Sequence, residues 1–352
     1  MTPDGVRELV ARSHRVLVEH SAGEGSAIAD EDFAAAGADV VPTAEAWGAE
    51  LVVKVKEPQP SEASHLRADQ VLFTYLHLAH YPDVARALLG AGTTALAYET
   101  VQLPGGALPL LAPMSEVAGR MATQIGAHYL ERENGGRGVL LGGAPGVRPA
   151  RVVVLGAGNV GWNAAWIAQG MEAEVWLLDK NLDRLRFVDQ IHKGRILTLA
   201  SNRGAVERAV AEADLLIGAV LVPGGRAPTL VTEAMVGGMK PGAVVVDVAV
   251  DQGGCVETTR ETTHAAPVYE VHGVVHYGVG NVPGAVPHTS TYALTNATLP
   301  YVVALAKWGV RGAVERDGAL LGGVTTVGGR LTNAVVAEAL GLDAADPLAE
   351  LH

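Results

Sequence analysis

The run Arg151-Val152-Val153-Val154-Leu155-Gly156-Ala157-Gly158-Asn159-Val160-Gly161 decides how the chain is read. Its first half is a short apolar, β-branched stretch of strand length. Three glycines in G-x-G-x-x-G spacing follow directly, and a helix is predicted from Val160 to Gly170. A second strand, Glu174 to Leu178, leads into Asp179, near the spacing of about 20 residues expected after such a fingerprint. In a chain with 43 glycines the bare pattern carries little; the strand before it and the helix after it carry the reading. Gly156 permits the tight turn, Gly158 lets backbone approach a pyrophosphate, and Gly161 lets the helix pack closely on the strand. The pyrophosphate would sit at the positive helix N-terminus. Asp179 would accept hydrogen bonds from the ribose hydroxyls and repel a 2′-phosphate, which favours NAD over NADP. Lys180 and Arg184 beside it leave that choice open. An ordinary glycine-rich turn with a surface aspartate is the plainer alternative.

Working outward, helical and strand patterns alternate. Toward the N-terminus, helices are predicted at Thr2 to Ser13, Asp30 to Ala36 and Pro82 to Leu89. Strands are predicted at Arg15 to Glu19, Leu51 to Val55, Val71 to Tyr75 and Thr94 to Ala97. Thr2 suits an N-cap and Pro3 the first helical position. A long helix is expected from Ser115, as its N-cap, to Tyr129, followed by a Gly/Pro-rich loop from Asn134 to Pro149. Beyond the fingerprint come strands Ile196 to Leu199, Leu215 to Ala219, Val244 to Val248 and Gly273 to Tyr277. A loop from Gly280 to His288 precedes a helix from Thr291 to Lys307. The last forty residues read as helical and Gly-rich without a motif. This rhythm predicts an α/β fold with mostly parallel sheets, and 352 residues suit two domains.

Composition narrows the function classes. Hydrophobic residues make up 49% and charged residues 18%, which excludes a disordered chain. A net charge of −12, from 26 basic and 38 acidic residues, argues against a nucleic-acid partner. The longest apolar runs, Leu215 to Val222 and Ala243 to Val250, have the length of buried strands and fall short of the ~18 residues of a membrane helix. The first residues include Asp4, Arg7 and Glu8, unlike a signal peptide, so a cytoplasmic enzyme is expected. The single Cys255 allows no internal disulfide and no Cys-based zinc site, and no metal is expected from His264, His272, His276 or His288.

Three strand ends carry chemistry, where open α/β sheets place ligands. In Val52-Val53-Lys54-Val55-Lys56-Glu57-Pro58, alternation puts both lysines on one side of the strand, with Lys56 at its carboxyl end. Lys56 suits a substrate carboxylate or carbonyl; a surface lysine is the alternative. His77 follows the apolar run Leu72 to Leu76 and suits proton transfer, against a purely structural histidine. Asp251 stands just beyond a strand and before Gly253-Gly254, where a carboxylate could orient a base or stabilise a cationic imine.

Several ungapped segments together resemble alanine dehydrogenase: Val53 to Pro58, Thr74 to Leu78, Ala97-Tyr98-Glu99-Thr100, Met114 to Gly119, Asp247 to Cys255, and Asn281 to Tyr301. The resemblance covers essentially the whole chain. It implies NAD-dependent interconversion of L-alanine with pyruvate and ammonium in a homohexamer. It also implies a discontinuous substrate domain, about 1–109 plus 288–352, with the NAD domain (110–287) inserted. By the same resemblance Lys56 binds the substrate carboxylate or carbonyl, His77 is the general acid/base, and Asp251 supports the ammonia-bearing intermediate. Ser115, Asp179, Arg184, Ser201 and Asn281 match cofactor-contacting positions. The family opens with a strand and an Arg-Val-Ala stretch ahead of the Thr-Pro that here follows Met1, so either the start lies about twenty residues upstream, with that strand and the substrate-binding arginine, or this is a variant lacking that arginine. A dehydrogenase for another amino or oxo acid, or a non-catalytic dinucleotide-binding homologue of the transhydrogenase kind, is the alternative. His80-Tyr81, Trp162 and His192-Lys193 depart from the family pattern.

Overall fold

The computed structural model describes residues 1–220 and 227–351. These divide into two compact units, Met1–Met114 with Val286–His352 and Ser115–Ala285. Of the apolar run Leu215 to Val222, the last two residues lie outside the described residues.

The first unit begins with helix α1 (Pro3–Val10), capped by the Thr2 hydroxyl, which accepts from the Gly5 N–H. Then follow β1 (Leu17–Glu19), α2 (Asp30–Ala35), β2 (Asp39–Val41) and α3 (Thr43–Ala46). Next come β3 (Leu51–Val53), β4 (Val71–Thr74), α4 (Pro82–Ala91) and β5 (Thr94–Ala97). Strands β1 and β2 pair in parallel as a separate two-stranded sheet over a small core of Val6, Val18, Ile28 and Phe33. Strand β2, which starts on Asp39 and is followed at once by Pro42, escaped the sequence reading. Strand β3 also ends earlier than expected, at Val53, so side-chain alternation does not govern Lys54 and Lys56.

Helix α5 (Ala112–Tyr129) starts ahead of the expected N-cap, so Ser115 lies inside it. The second unit alternates β6 (Arg151–Leu155), α6 (Asn159–Gly170), β7 (Glu174–Asp179), α7 (Leu182–His192), β8 (Ile196–Ala200), α8 (Arg203–Glu212), β9 (Leu215–Gly218), α9 (Glu233–Gly237) and β10 (Val244–Asp247). It closes with a hairpin, β11 (Val268–Val271) and β12 (Val274–Tyr277). Its seven strands run in the order β11-β12-β10-β9-β6-β7-β8. All pairings are parallel except that of the edge strand β11. Counting only the six parallel strands from β6, this is the 3-2-1-4-5-6 order of the Rossmann fold, with β12 as the sixth and the switch point between β6 and β9. Val152, Val153 and Val154 are fully buried, as a central parallel strand with both faces covered requires.

Helix α10 (Pro287–Arg316), interrupted at Gly309, returns the chain to the first unit. The remainder corrects the helical reading of the last forty residues. Strands β13 (Val324–Val327) and β14 (Arg330–Leu331) precede α11 (Ala334–Leu340) and α12 (Pro347–Glu350). Strand β13 pairs antiparallel with β5, giving the sheet order β14-β13-β5-β4-β3. Alternate residues of β4 and β5 serve two cores. Phe73 and Leu96 pack with Leu294, Val302 and Leu305 of α10, while Leu72 and Ala95 pack with Trp47, Leu88 and Val336.

Candidate active site

Parallel strands β3, β4 and β5 of the first unit present their carboxyl ends side by side. Each runs into a polar residue: Lys56, His77 and Glu99. The Thr74 hydroxyl donates to the Lys56 carbonyl (2.9 Å) and the Tyr75 N–H to the Val55 carbonyl (3.2 Å), which fixes the Lys56 backbone against β4. The Lys56 side chain is exposed. Lys54 is not an equivalent candidate. It is three-quarters buried or more, ion-paired with Glu62 and seated over the Trp47 ring (5.2 Å to the centroid).

His77 lies three residues past the end of β4, with φ at +46°, the left-handed region. For a side chain with a Cβ this costs about 1–2 kcal/mol, so something must hold it. The Glu99 carboxylate does: it accepts the His77 N–H at 2.6 Å and the Leu76 N–H at 3.2 and 3.3 Å. Glu99 Oε1 also lies 3.8 Å from His77 Nδ1. The Tyr75 ring stacks on the imidazole, 5.7 Å between centroids and 3° from parallel. Tyr98 meets Tyr75 edge-on at 5.1 Å. Burial and the Glu99 charge push the Tyr75 phenol well above its ordinary pKa, so its hydroxyl stays a donor, to the Leu110 carbonyl (2.6 Å). Sequence reading placed His77 at a strand end but missed Glu99, although it lies two residues past a strand.

In the second unit the fingerprint glycines are set by contact. Gly156 has φ +101°, and a Cβ there would lie 2.6 Å from the Ala219 carbonyl oxygen. A Cβ on Gly161 would meet the Gly156 carbonyl oxygen at 1.7 Å. Among the described residues, a Cβ at Gly158 would meet nothing nearer than Arg184 Nη1, at 3.8 Å, so these residues leave the front of the turn open. Gly158 is also the N-cap of α6 and supplies no side-chain acceptor to the helix's first N–H groups. A helix start left uncapped over open space suits a phosphate, so these residues fit the diphosphate of a dinucleotide.

Asp179 ends β7 and is buried. Its Oδ2 accepts the Ala157 N–H (2.6 Å) and its Oδ1 the Asn181 N–H (2.7 Å). Arg184 Nη1 lies 3.8 Å from Oδ2. The Ser201 N–H donates to the Asp179 carbonyl (2.9 Å), which sets Ser201 at the neighbouring strand end. Ser115 precedes Gly119 by one turn of α5, and Gly119 packs against the first turn of α6, where its Cβ would stand 2.1 Å from the Val160 carbonyl oxygen.

Asp251, beyond β10, lies beside Gly280, the residue before Asn281 in the segment after β12. A Cβ on Gly280 would lie 3.3 Å from the Asp251 Cβ, and His264 Nε2 bonds the Asn281 carbonyl oxygen at 2.9 Å. The turn that carries Asp251 is tied by Asp247, a residue read from sequence only as part of a strand. Its carboxylate, 1% exposed, accepts the N–H groups of Ala249 (3.1 Å), Cys255 (2.9 Å) and Val256 (3.1 Å) and the Thr259 hydroxyl (2.8 Å).

A Rossmann sheet with an open, uncapped glycine turn and a buried aspartate on the adjacent strand defines a dinucleotide-binding α/β protein. Its relatives are specific. The alanine dehydrogenase/PNT N-terminal domain matches residues 1–118 and the C-terminal domain residues 122–334. The chain belongs to this family. It is 56% identical over 345 residues to the alanine dehydrogenase of Halomonas elongata, 97% of this chain and 93% of that one. It is 56% identical over 353 residues to the alanine dehydrogenase of Mycobacterium tuberculosis, 100% of this chain and 95% of the relative. A solved L-alanine dehydrogenase superposes with a TM-score of 0.94 at 54% identity, covering 97% of this chain and 94% of that chain. A transhydrogenase from Sinorhizobium meliloti superposes with a TM-score of 0.81 at 27% identity, covering 95% and 94%.

Proposed function

We propose that this chain catalyses the NAD-dependent interconversion of L-alanine and water with pyruvate and ammonium, with unit 1 as substrate domain and unit 2 as NAD domain. The observation that carries the reading is identity of 56% over nearly the full length to alanine dehydrogenases. Lys56 and His77 on neighbouring strand ends suit the chemistry.

NAD, when bound, supplies the hydride acceptor. The residues do the rest. Lys56 pairs with the alanine carboxylate and polarises the developing carbonyl. His77 takes a proton from the substrate ammonium, because hydride leaves only from a carbon bearing a neutral amine. Asp251 offsets the positive charge of the resulting iminium. His77 releases that proton to solvent, accepts another from the attacking water, and delivers it to the nitrogen as ammonia departs. Gly156, Gly158 and Gly161 shape the diphosphate cradle. Asp179 and Arg184 flank the adenosine ribose, and Ser115, Ser201 and Asn281 complete the cofactor contacts.

Formation of reduced nicotinamide from NAD and L-alanine, followed by absorbance, tests the reaction. No turnover with NAD binding intact would refute it, and a clear preference for another amino acid in a substrate screen would replace alanine. A homohexamer and a cytoplasmic location belong to the same proposal, from the family resemblance; light scattering of the purified chain checks the first. No helix among the described residues is long and apolar enough to cross a membrane.

A further inference from the structure

We infer that Glu99 is the positioning residue for His77: it clamps the two backbone N–H groups that enter the left-handed turn and so aims the imidazole. This rests on the proposed role of His77. Three observations support it. First, the left-handed conformation at His77 is unfavourable for a residue with a Cβ, and the shortest hydrogen bond Glu99 makes goes to the His77 N–H itself, at 2.6 Å. Second, both carboxylate oxygens are used, since the Leu76 N–H lies 3.3 Å from one and 3.2 Å from the other. A planar group gripping two successive N–H donors fixes peptide orientation as well as position. Third, the imidazole is fixed from a second direction by the nearly parallel Tyr75 ring, which is itself held by Tyr98 and by the Leu110 carbonyl. With the backbone and one ring face both set, little freedom remains about the histidine side-chain torsions.

Glu99 sits at the end of β5, and β5 is hydrogen-bonded in register to β4. The clamp therefore ties the irregular segment after β4 to the neighbouring strand. It acts through main chain, so it differs from a carboxylate that serves only to raise the basicity of the ring.

The test compares Glu99→Gln, Glu99→Ala, His77→Ala and the His77→Ala/Glu99→Ala double variant in the full chain. Glu99→Ala should lower kcat about 100-fold, the order reached when a catalytic group is misplaced by about 1 Å, while KM for alanine and NAD affinity change little. Glu99→Gln, which keeps one acceptor oxygen, should fall between it and the native chain. Hydrogen exchange of the Leu76-His77 segment should accelerate in Glu99→Ala. In the His77→Ala background, removing Glu99 should cost nothing further, because its effect passes through the histidine. A native kcat in Glu99→Ala, unchanged exchange, or a full additional loss in the double variant overturns the inference. A fully active His77→Ala would instead overturn the role of His77, and the exchange measurement would still decide whether the clamp exists.

Discussion

Replacing Asp179 by alanine tests the cofactor cradle most directly. The carboxylate does two tasks at once: it holds the Ala157 and Asn181 N–H groups, and it would receive the ribose hydroxyls. A hydrogen bond to a charged group contributes about 1.5–3 kcal/mol. Loss of a single ribose bond therefore weakens NAD binding about 10- to 100-fold, and loosening of the Ala157 peptide adds to that. NADP should respond in the opposite sense. Its 2′-phosphate no longer faces a carboxylate, and Arg184, 3.8 Å from Asp179 Oδ2 in the native chain, becomes free to pair with it. Titration calorimetry with NAD and NADP on the native chain, Asp179→Ala and Asp179→Ala/Arg184→Ala separates the two effects. The NAD:NADP preference should collapse in the single variant, and NADP affinity should fall again in the double variant. A preference that stays unchanged in Asp179→Ala would refute the assignment, because another group would then be reading the ribose.

His77→Ala should lower alanine turnover about 10³-fold, leaving measurable residual activity, and keep NAD affinity near native; equal loss of both, by kinetics and titration, would contradict its role. Asp247→Ala strands three N–H groups around a buried site. At about 1–3 kcal/mol each, the urea midpoint of unit 2, followed by tryptophan fluorescence, should drop by the equivalent of ~3 kcal/mol or more. Gly161→Ala should abolish NAD binding or folding of unit 2, since its Cβ would stand 1.7 Å from a carbonyl oxygen. His276 is fully buried between the Thr258 hydroxyl (2.8 Å) and the Val274 carbonyl (2.9 Å), and burial lowers its pKa below the ordinary 6.5. The unfolded chain then binds more protons below pH 6.5. Stability is full above that pH and falls as pH drops toward the folded pKa. Subtracting the stability–pH curve of His276→Gln should isolate this slope, and identical curves would refute it.

What the sequence made legible was local. The glycine turn, its flanking strand and Asp179 lie within some thirty residues, and each part demands the next. The Thr2 cap and Pro3 start are equally local. Elements that depend on distant partners were not legible. Val324–Val327 is a strand because it can pair with β5, and its glycine-rich flanks hide that. The start of α5 at Ala112 lies ahead of Ser115, where proline at the second helical position is tolerated. Glu99 escaped for the same reason as β13, since it acts on N–H groups far back in the chain. The partners of Asp247 are near it in sequence, but no motif spacing records a carboxylate that bonds main chain.

The pairing of β13 with β5 also dictates an order of events during synthesis. Leu96 and Val324 are partners in one sheet, yet the ribosome must add about 230 residues between them. At about 5–20 residues per second this takes roughly 10–45 s, during which the nascent β5 has an unpaired edge and Phe73 and Leu96 lack the α10 side chains that cover them. The inserted unit, contiguous from 115 to 285, has all its strands by then. The sheet that carries His77 therefore waits for its β13 strand until after the whole inserted unit has been made.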